Sequence, residues 1–403
     1  MDRLYTKYVD EFLHEYKKMV FISGARQVGK TTLAKMLIDI ESQDKYFNWD
    51  YVNDRDIILN EHHELFSNMV AVKTGKKPRL ILDEIHKFPD WKNLIKGFYD
   101  KFGDHIEFII TGSAKLDIYK KGGDSLMGRY INLTVHPLSM SELSQDFKGI
   151  GKNIISLPKK LDKDIFDNLL KFGGFAEPYL KSNERFYNLW SRQRFEQLFK
   201  EDIRNVEDIS NMYGLELLAT TLINQSGQLT NYTNLAKKVR VSDQTIRRWT
   251  ELLQKYYYCF CIRPWSNNVA RSLLKDPKYY LWDWSQINNN DGAKFENFLA
   301  SHLFKSVIFW NEIGLGSFSL HYLRDKQKRE VDFLVAKNNK PWFLVEVKSN
   351  DIKLSNSLRY FHECLKPEYS FQVVKNLPDT QNDCFEKSGI WVVPAITFLT
   401  QLV

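Results

Sequence analysis

Two groups of residues in this 403-residue chain have the types and spacing for chemistry on phosphate, and they lie at opposite ends. Near the N-terminus, Gly24-Ala-Arg-Gln-Val-Gly29-Lys30-Thr31 follows the apolar run 19–23 and precedes the helical pattern 32–38. Strand, glycine loop and helix form the setting in which GxxxxGK[ST] curls the backbone, so that its N–H groups face phosphates at a helix N-terminus. Gly24, Ala25, Gln27, Val28, Gly29, Lys30, Thr31 and Thr32 are the expected nucleotide contacts. Lys30 is placed to reach the β- and γ-phosphates of ATP, and the Thr31 hydroxyl to help hold Mg²⁺. Near the C-terminus, Asp332 opens one apolar run and Glu346-Val-Lys348 closes the next. Two acids at one point can hold Mg²⁺ or Mn²⁺ beside a phosphodiester, and a neighbouring lysine can orient the nucleophile or offset developing charge. The plain alternative is a β-hairpin carrying solvated charges.

A phosphate loop needs a further acid for its metal. Asp83 ends the short apolar run 80–82, where ligands bind in open α/β sheets, and is expected to hold Mg²⁺ together with Thr31. Glu84, the next residue, is placed to polarise the attacking water. A third strand, 107–110, leads to Thr111-Gly-Ser113, and Ser113 rather than Thr111 is the expected γ-phosphate sensor. Gly128-Arg129 precedes a strand at 131–135. Arg129 there suits a finger that reaches the γ-phosphate of a neighbouring subunit, with a plain surface arginine as the alternative.

These residues need elements to position them. Strand alternation puts Leu344, Glu346 and Lys348 on one face, with Val345 and Val347 behind. Asp332, Leu334 and Ala336 share a face of the preceding strand, and Asp332 joins the other two if the hairpin register allows. A helix at 294–303 precedes them, and Glu296 on it is a further acid for the same site. Between the two ends, Leu235, Ala236 and Val239 mark one helical face. After a short turn, Ser242 caps a helix whose apolar stripe is Ile246, Trp249, Leu252, Leu253 and Tyr256. The strand 257–262 follows. This order predicts a winged helix, with Gln244, Arg247 and Arg248 on the face that would enter a major groove. Such modules also serve as protein-packing units, and Arg240 occupies the turn position where glycine is usual.

GARQVGKTT, LILDEIHK, ITGSA, LMGRY and HPLSMSEL follow one another as in AAA-type P-loop ATPases of bacteria and archaea, and the sequence resembles that family over most of its length. The runs Gly173-Gly-Phe-Ala-Glu177-Pro178 and Lys200-Glu-Asp202-Ile203 fit its middle region. In that family the ATPase is fused to a C-terminal domain of unknown function that looks like a restriction-endonuclease fold. The resemblance implies phosphate and Mg²⁺ contacts for Lys30 and Thr31, metal and hydrolysis roles for Asp83 and Glu84, and places Arg129 on the family's Gly-Arg. The family usually carries Asp-Thr-Gly-Leu where this chain has Asp283-Trp284-Ser285-Gln286.

The expected fold class is therefore multidomain, α/β and α+β. A P-loop parallel sheet with helices (1–135) is followed by a helical lid or connector (136–208), a winged helix-turn-helix (209–265) and a restriction-endonuclease-like α/β domain (266–403). With 43% hydrophobic residues the chain can build real cores. The net charge of +7 is compatible with nucleic acid without demanding it. The four cysteines make no disulfide framework. The opening MDRLYTKYVDEF lacks signal-peptide character, no apolar run is long enough to span a bilayer, and a cytoplasmic location is expected. The function these features predict is an ATPase that couples nucleotide turnover to DNA binding or metal-dependent DNA cleavage, with a homo-oligomer as its possible assembly. The alternatives are an ATP switch that binds DNA or a partner protein through an inactive nuclease-like domain, and an ATP-bound scaffold.

Overall fold

The computed structural model describes residues 3–39, 42–71, 76–112, 126–144, 154–204, 209, 211–266, 275–288 and 290–403. Contacts divide the chain into two units, Met1–His136 and Pro137–Val403.

The first unit starts with α1 (Thr6–His14), β1 (Met19–Gly24), α2 (Lys30–Met36) and β2 (Lys45–Asn48). Helices α3 (Val52–Asp56) and α4 (His62–Ala71) lead to β3 (Arg79–Asp83), α5 (Trp91–Phe102), β4 (Glu107–Gly112) and β5 (Tyr130–Val135). The strands pair in parallel in the order β2-β3-β4-β1-β5. Every residue of β1 and β4 is buried. That is why Met19–Ile22 and Phe108–Ile110 read as apolar runs within them: a parallel sheet is covered on both faces. Phe21, Leu82 and Phe108 from the sheet pack with Phe66, Trp91 and Phe98 from α4 and α5 in one core. The register sets Ser23 beside Gly112 and Asp83 beside Thr111, so the carboxyl ends of β1, β3 and β4 meet at one rim.

The second unit begins with short α6 (Met140–Leu143), α7 (Lys163–Phe172), α8 (Ala176–Lys181) and α9 (Glu184–Gln197), which runs on through a π-helical turn, Leu198–Ile203. Helices α10 (Met212–Asn224), α11 (Tyr232–Val239) and α12 (Asp243–Lys255) precede β6 (Cys259–Pro264) and β7 (Lys278–Leu281). Asn211, Asn231 and Ser242 cap these three helices with side-chain oxygens. The long helix α13 (Asp291–Glu312) opens the last stretch. After it come β8 (Phe318–Arg324), β9 (Glu330–Lys337), β10 (Lys340–Lys348), α14 (Asn356–Leu365), β11 (Tyr369–Val374), β12 (Gly389–Pro394) and α15 (Ala395–Gln401).

One mixed sheet, β12-β11-β10-β9-β8-β6-β7, runs through this unit. Strands β8, β9 and β10 form an antiparallel meander, and β11 and β12 add in parallel beyond β10. At the other side β6 pairs in parallel with β8 through Arg263 and Pro264, so the β6–β7 hairpin continues the same sheet. The turn at 283–286 is built into the core. Trp284 is buried, its indole N–H donates to the Leu169 carbonyl at 2.9 Å, and its ring meets Phe298 edge-on. It therefore anchors α13 to α7. The four cysteines are free, and burial pushes the Cys261 thiol up to about 11.

Candidate functional site

At the rim of the parallel sheet, the loop after β1 turns through positive φ at Gly24, Gln27 and Gly29. Gly24 is required twice over: its φ is +149°, and a Cβ there would collide with the Val135 carbonyl. The turn brings the buried Lys30 ammonium back over the loop, where it donates to the Gly24 carbonyl at 3.1 Å and the Ala25 carbonyl at 2.8 Å. Thr31 Oγ1 donates to Asp83 Oδ2 at 2.8 Å. The Tyr46 hydroxyl donates to the same oxygen at 2.6 Å, and Thr111 Oγ1 to Asp83 Oδ1. Asp83 is 2% exposed and holds three hydroxyls in this arrangement. Burial, then Asp83, pushes the Tyr46 phenol well above its usual range.

Glu84 sits in the left-handed region, at φ 58°, an uncommon place for a residue with a long side chain. Its amide donates to the Thr111 carbonyl at 3.1 Å, and Lys87 Nζ lies 3.5 Å from its carboxylate. His86 Nε2 lies 3.8 Å from the same carboxylate. Ser113 lies outside the described residues. Thr111, set aside from the sequence in favour of Ser113, is the residue that meets Asp83. Arg129 precedes the edge strand β5 and forks onto Asp100, with Nε 2.7 Å from Oδ1. The Asp100 hydrogen bond raises its already high pKa. Tyr130 pairs with Met19 and Val135 with Gly24, so Arg129 stands at the opposite end of β1 from the phosphate loop.

The second site lies where β9 and β10 emerge from their hairpin. The turn is Asn338-Asn339, both at positive φ, the two-residue connection whose twist suits antiparallel strands. The register pairs Leu334 with Leu344 and Phe333 with Val345. Continued by one residue, it sets Asp332 opposite Glu346, and Asp332 Oδ2 accepts from the Val347 amide at 2.8 Å. Lys348 Nζ donates to Glu346 Oε1 at 2.8 Å, while Glu346 Oε2 is buried with no hydrogen-bond partner. Leu334, Ala336 and Leu344 pack under α14 with Leu358 and Phe361, which fixes that face. Glu296 of α13 joins the group through Tyr280, whose hydroxyl donates to its Oε1 at 2.7 Å.

Three residues of this cluster carry no sequence signal of a site. Lys278 and Tyr280 alternate onto one face of the four-residue β7, and Glu330 starts β9 two residues before Asp332. Lys278 Nζ lies 2.7 Å from Glu330 Oε1 and 3.6 Å from Glu296 Oε1. Burial pushes Glu346 up to about 7, with the charge of Asp332 adding to it, and burial and Asp332 push Glu296 up to about 7 as well. Burial also raises Asp332, against the pull of Lys278, the Val347 amide and Lys348.

Gln244, Arg247 and Arg248 are exposed on α12. Arg247 stacks its guanidinium 4.0 Å over the Tyr232 ring, so it also ties α12 to α11. Arg240 ends α11 at φ 60°, in the left-handed turn where glycine is usual.

Metal can be tested against both places. Among the described residues no three His, Cys, Asp or Glu side chains are already grouped to hold an ion. A divalent cation at either place therefore takes two protein oxygens, Thr31 with Asp83 or Asp332 with Glu346, and completes its shell from phosphate and water, as Mg²⁺ commonly does. The unpartnered Glu346 Oε2 and the direct Thr31–Asp83 contact both fit such an ion.

Residues 16–144 match a family model described as an AAA domain. Residues 163–294 and 291–397 match two models described as domains of unknown function, DUF8612 and DUF4143. An uncharacterized protein of Mycobacterium tuberculosis is 22% identical over 355 residues, which cover 85% of this chain and 73% of that one. An uncharacterized protein of Haemophilus influenzae is 22% identical over 336 residues, 78% of this chain and 79% of that one. Among solved structures, the Aeropyrum pernix ORC1 protein in complex with DNA aligns at 10% identity and TM-score 0.34, over 74% of this chain and 91% of that one. PCH-2 of C. elegans aligns at 16% identity and TM-score 0.24, over 35% and 40%. At such scores these two likenesses decide nothing about this chain. The N-terminal unit is thus an AAA-type P-loop domain, for which binding and hydrolysis of ATP with Mg²⁺ is the matching chemistry, and the C-terminal stretch is of the DUF4143 type. No helix among the described residues is long and apolar enough to cross a membrane.

Proposed function

We propose that this AAA-type ATPase couples ATP hydrolysis to metal-dependent cleavage of DNA by its C-terminal domain. The observation that carries the nuclease half is the hairpin register, which sets half-buried Asp332 and buried Glu346 opposite each other beside Lys348 and leaves Glu346 Oε2 without a partner. The order α13-β8-β9-β10-α14-β11, an antiparallel meander and then a parallel strand, supports reading this domain as restriction-endonuclease-like. Helices α10 to α12 followed by the β6–β7 hairpin support a winged helix, with Gln244, Arg247 and Arg248 as DNA contacts.

In the ATPase half, Lys30 and the loop amides of residues 24–32 bind the phosphates, and Thr31 and Asp83 hold Mg²⁺. Glu84 orients the attacking water, and Ser113 is the proposed γ-phosphate sensor. In the nuclease half, Asp332 and Glu346 hold one Mg²⁺ or Mn²⁺, which when bound polarises the scissile phosphate and its water. Lys348 offsets charge on the phosphorane-like transition state. The cytoplasm supplies ATP, Mg²⁺ and DNA together and is the proposed location.

A second reading is a switch that binds DNA or a protein without cutting. The observation in its favour is Lys278, an internal cation that lets the carboxylates persist without a metal. A nicking assay on supercoiled plasmid and on single strands, with Mg²⁺ or Mn²⁺ and with or without ATP, separates the two. Wild type is expected to nick, and Asp332→Ala and Glu346→Ala to lose nicking. Equal nicking by both variants would sink the site assignment, and no nicking by wild type would leave the switch. Lys30→Ala is expected to lower ATP hydrolysis by about a hundredfold or more, the scale of losing one charge-stabilising donor.

A further inference from the structure

Lys278 belongs to the β6–β7 hairpin, not to the α13-β8-β9-β10 elements that carry the acids. Yet its ammonium is buried among them. The residue is 3% exposed, with Nζ 2.7 Å from Glu330 Oε1, 3.6 Å from Glu296 Oε1 and 5.5 Å above the Tyr322 ring. Its backbone is fixed by antiparallel pairing of Lys278 with Ile262 and by a bridge to Leu229. A buried ammonium held this way is a permanent part of the site, because removing one partner of a buried pair leaves an uncompensated charge.

Four carboxylates, Glu296, Glu330, Asp332 and Glu346, converge here, and Lys278, Lys348 and Arg324 pair with them. On one side of the group Glu346 Oε2 is buried with no hydrogen-bond partner. The other side, between Glu296 and Glu330, is already filled by Lys278. We propose that Lys278 is a resident cation that takes the place of a second metal, so that the nuclease-like site accepts a single divalent ion, at Asp332 and Glu346. This rests on the nuclease reading above. It makes Lys278 a positioning residue, which holds Glu296 and Glu330 and admits metal to one side only.

The test counts Mn²⁺ bound to the 403-residue chain without nucleotide, by electron paramagnetic resonance, and takes only the ions lost in Asp332→Ala or, for the side between Glu296 and Glu330, in Glu330→Ala. Wild type is expected to bind one and Lys278→Met two. Thermal unfolding supplies a second reading for Lys278→Met and for the polar variant Lys278→Gln. Both are expected to melt lower than wild type in EDTA and to recover most of the loss in Mn²⁺. A merely structural lysine would leave the loss equal in both buffers. One ion in both wild type and Lys278→Met, with no recovery in Mn²⁺, would overturn the role of Lys278 and spare the nuclease reading. No Asp332-dependent ion in either protein would overturn both. An ion in Lys278→Met alone would overturn the single-ion site and show that Lys278 excludes metal, as the binding switch requires.

Discussion

Single side chains in this protein are held by burial as much as by partners. His302 shows it best. It is 2% exposed on α13, its Nε2 accepts from the Met140 amide at 3.1 Å, and its Nδ1 donates to the Phe298 carbonyl at 2.8 Å. Burial lowers its pKa to about 3. The fold therefore keeps the ring neutral, whereas the unfolded chain protonates it near its ordinary value of about 6.5. Between those two values the unfolded state binds the extra proton, so the stabilisation is whole above about pH 6.5 and is lost as pH falls toward 3. The expected contribution to the slope is about 1.4 kcal/mol per pH unit across that window. Urea unfolding from pH 7 to pH 4, wild type against His302→Gln, checks it. The variant should show a shallower acid loss, and identical slopes would show that other groups dominate.

At the scale of elements, turns decide which side chains meet. The Asn338-Asn339 turn sets the register of β9 against β10, and a slip of one residue would move Asp332 to the far face. The turn between α11 and α12 makes the opposite compromise, with Arg240 in the left-handed region at φ 60°. A residue with a Cβ pays roughly 1–2 kcal/mol there, and glycine's extra chain entropy is about 0.5–1 kcal/mol. Arg240→Gly is therefore expected to raise the urea midpoint slightly. A fall would mean that the Arg240 side chain supplies more than the strain removes. Gly24→Ala should do the reverse, with lost ATP hydrolysis and a lower melting temperature, because φ +149° and the Val135 carbonyl both exclude a Cβ.

For the whole molecule, Arg129 poses the assembly question. It stands six residues back from Val135, which pairs with Gly24, or about 20 Å of extended chain. An arginine at that end of the sheet has no reach to its own phosphate loop, so a finger role requires a neighbouring copy. Mixing Lys30→Ala with Arg129→Ala, each inactive alone, is then expected to restore part of the ATP hydrolysis. A site formed by the loop of an Arg129→Ala copy and the arginine of a Lys30→Ala copy would have both groups intact. If Arg129→Ala hydrolyses ATP normally, Arg129 is the surface arginine that its Asp100 fork also suits.

The phosphate loop, the Asp83 strand and the alternation of Leu344, Glu346 and Lys348 were legible in the amino-acid sequence, because each depends on neighbours a few residues away and on strand or helix periodicity. Trp284 was not. It stood out only as a departure from the usual Asp-Thr-Gly-Leu, and only its packing against α7 and α13 shows an anchor. Thr111 was passed over for the same reason, since its hydroxyl meets Asp83 through the parallel register of β3 and β4. By itself the sequence determined which residues carry charge and which face of its own strand each takes. Only the tertiary structure decided which charges meet. Lys278 reaches Glu296 and Glu330 because β6 pairs with β8 across 58 positions of chain, from Arg263 to His321, and no local pattern encodes a pairing that distant.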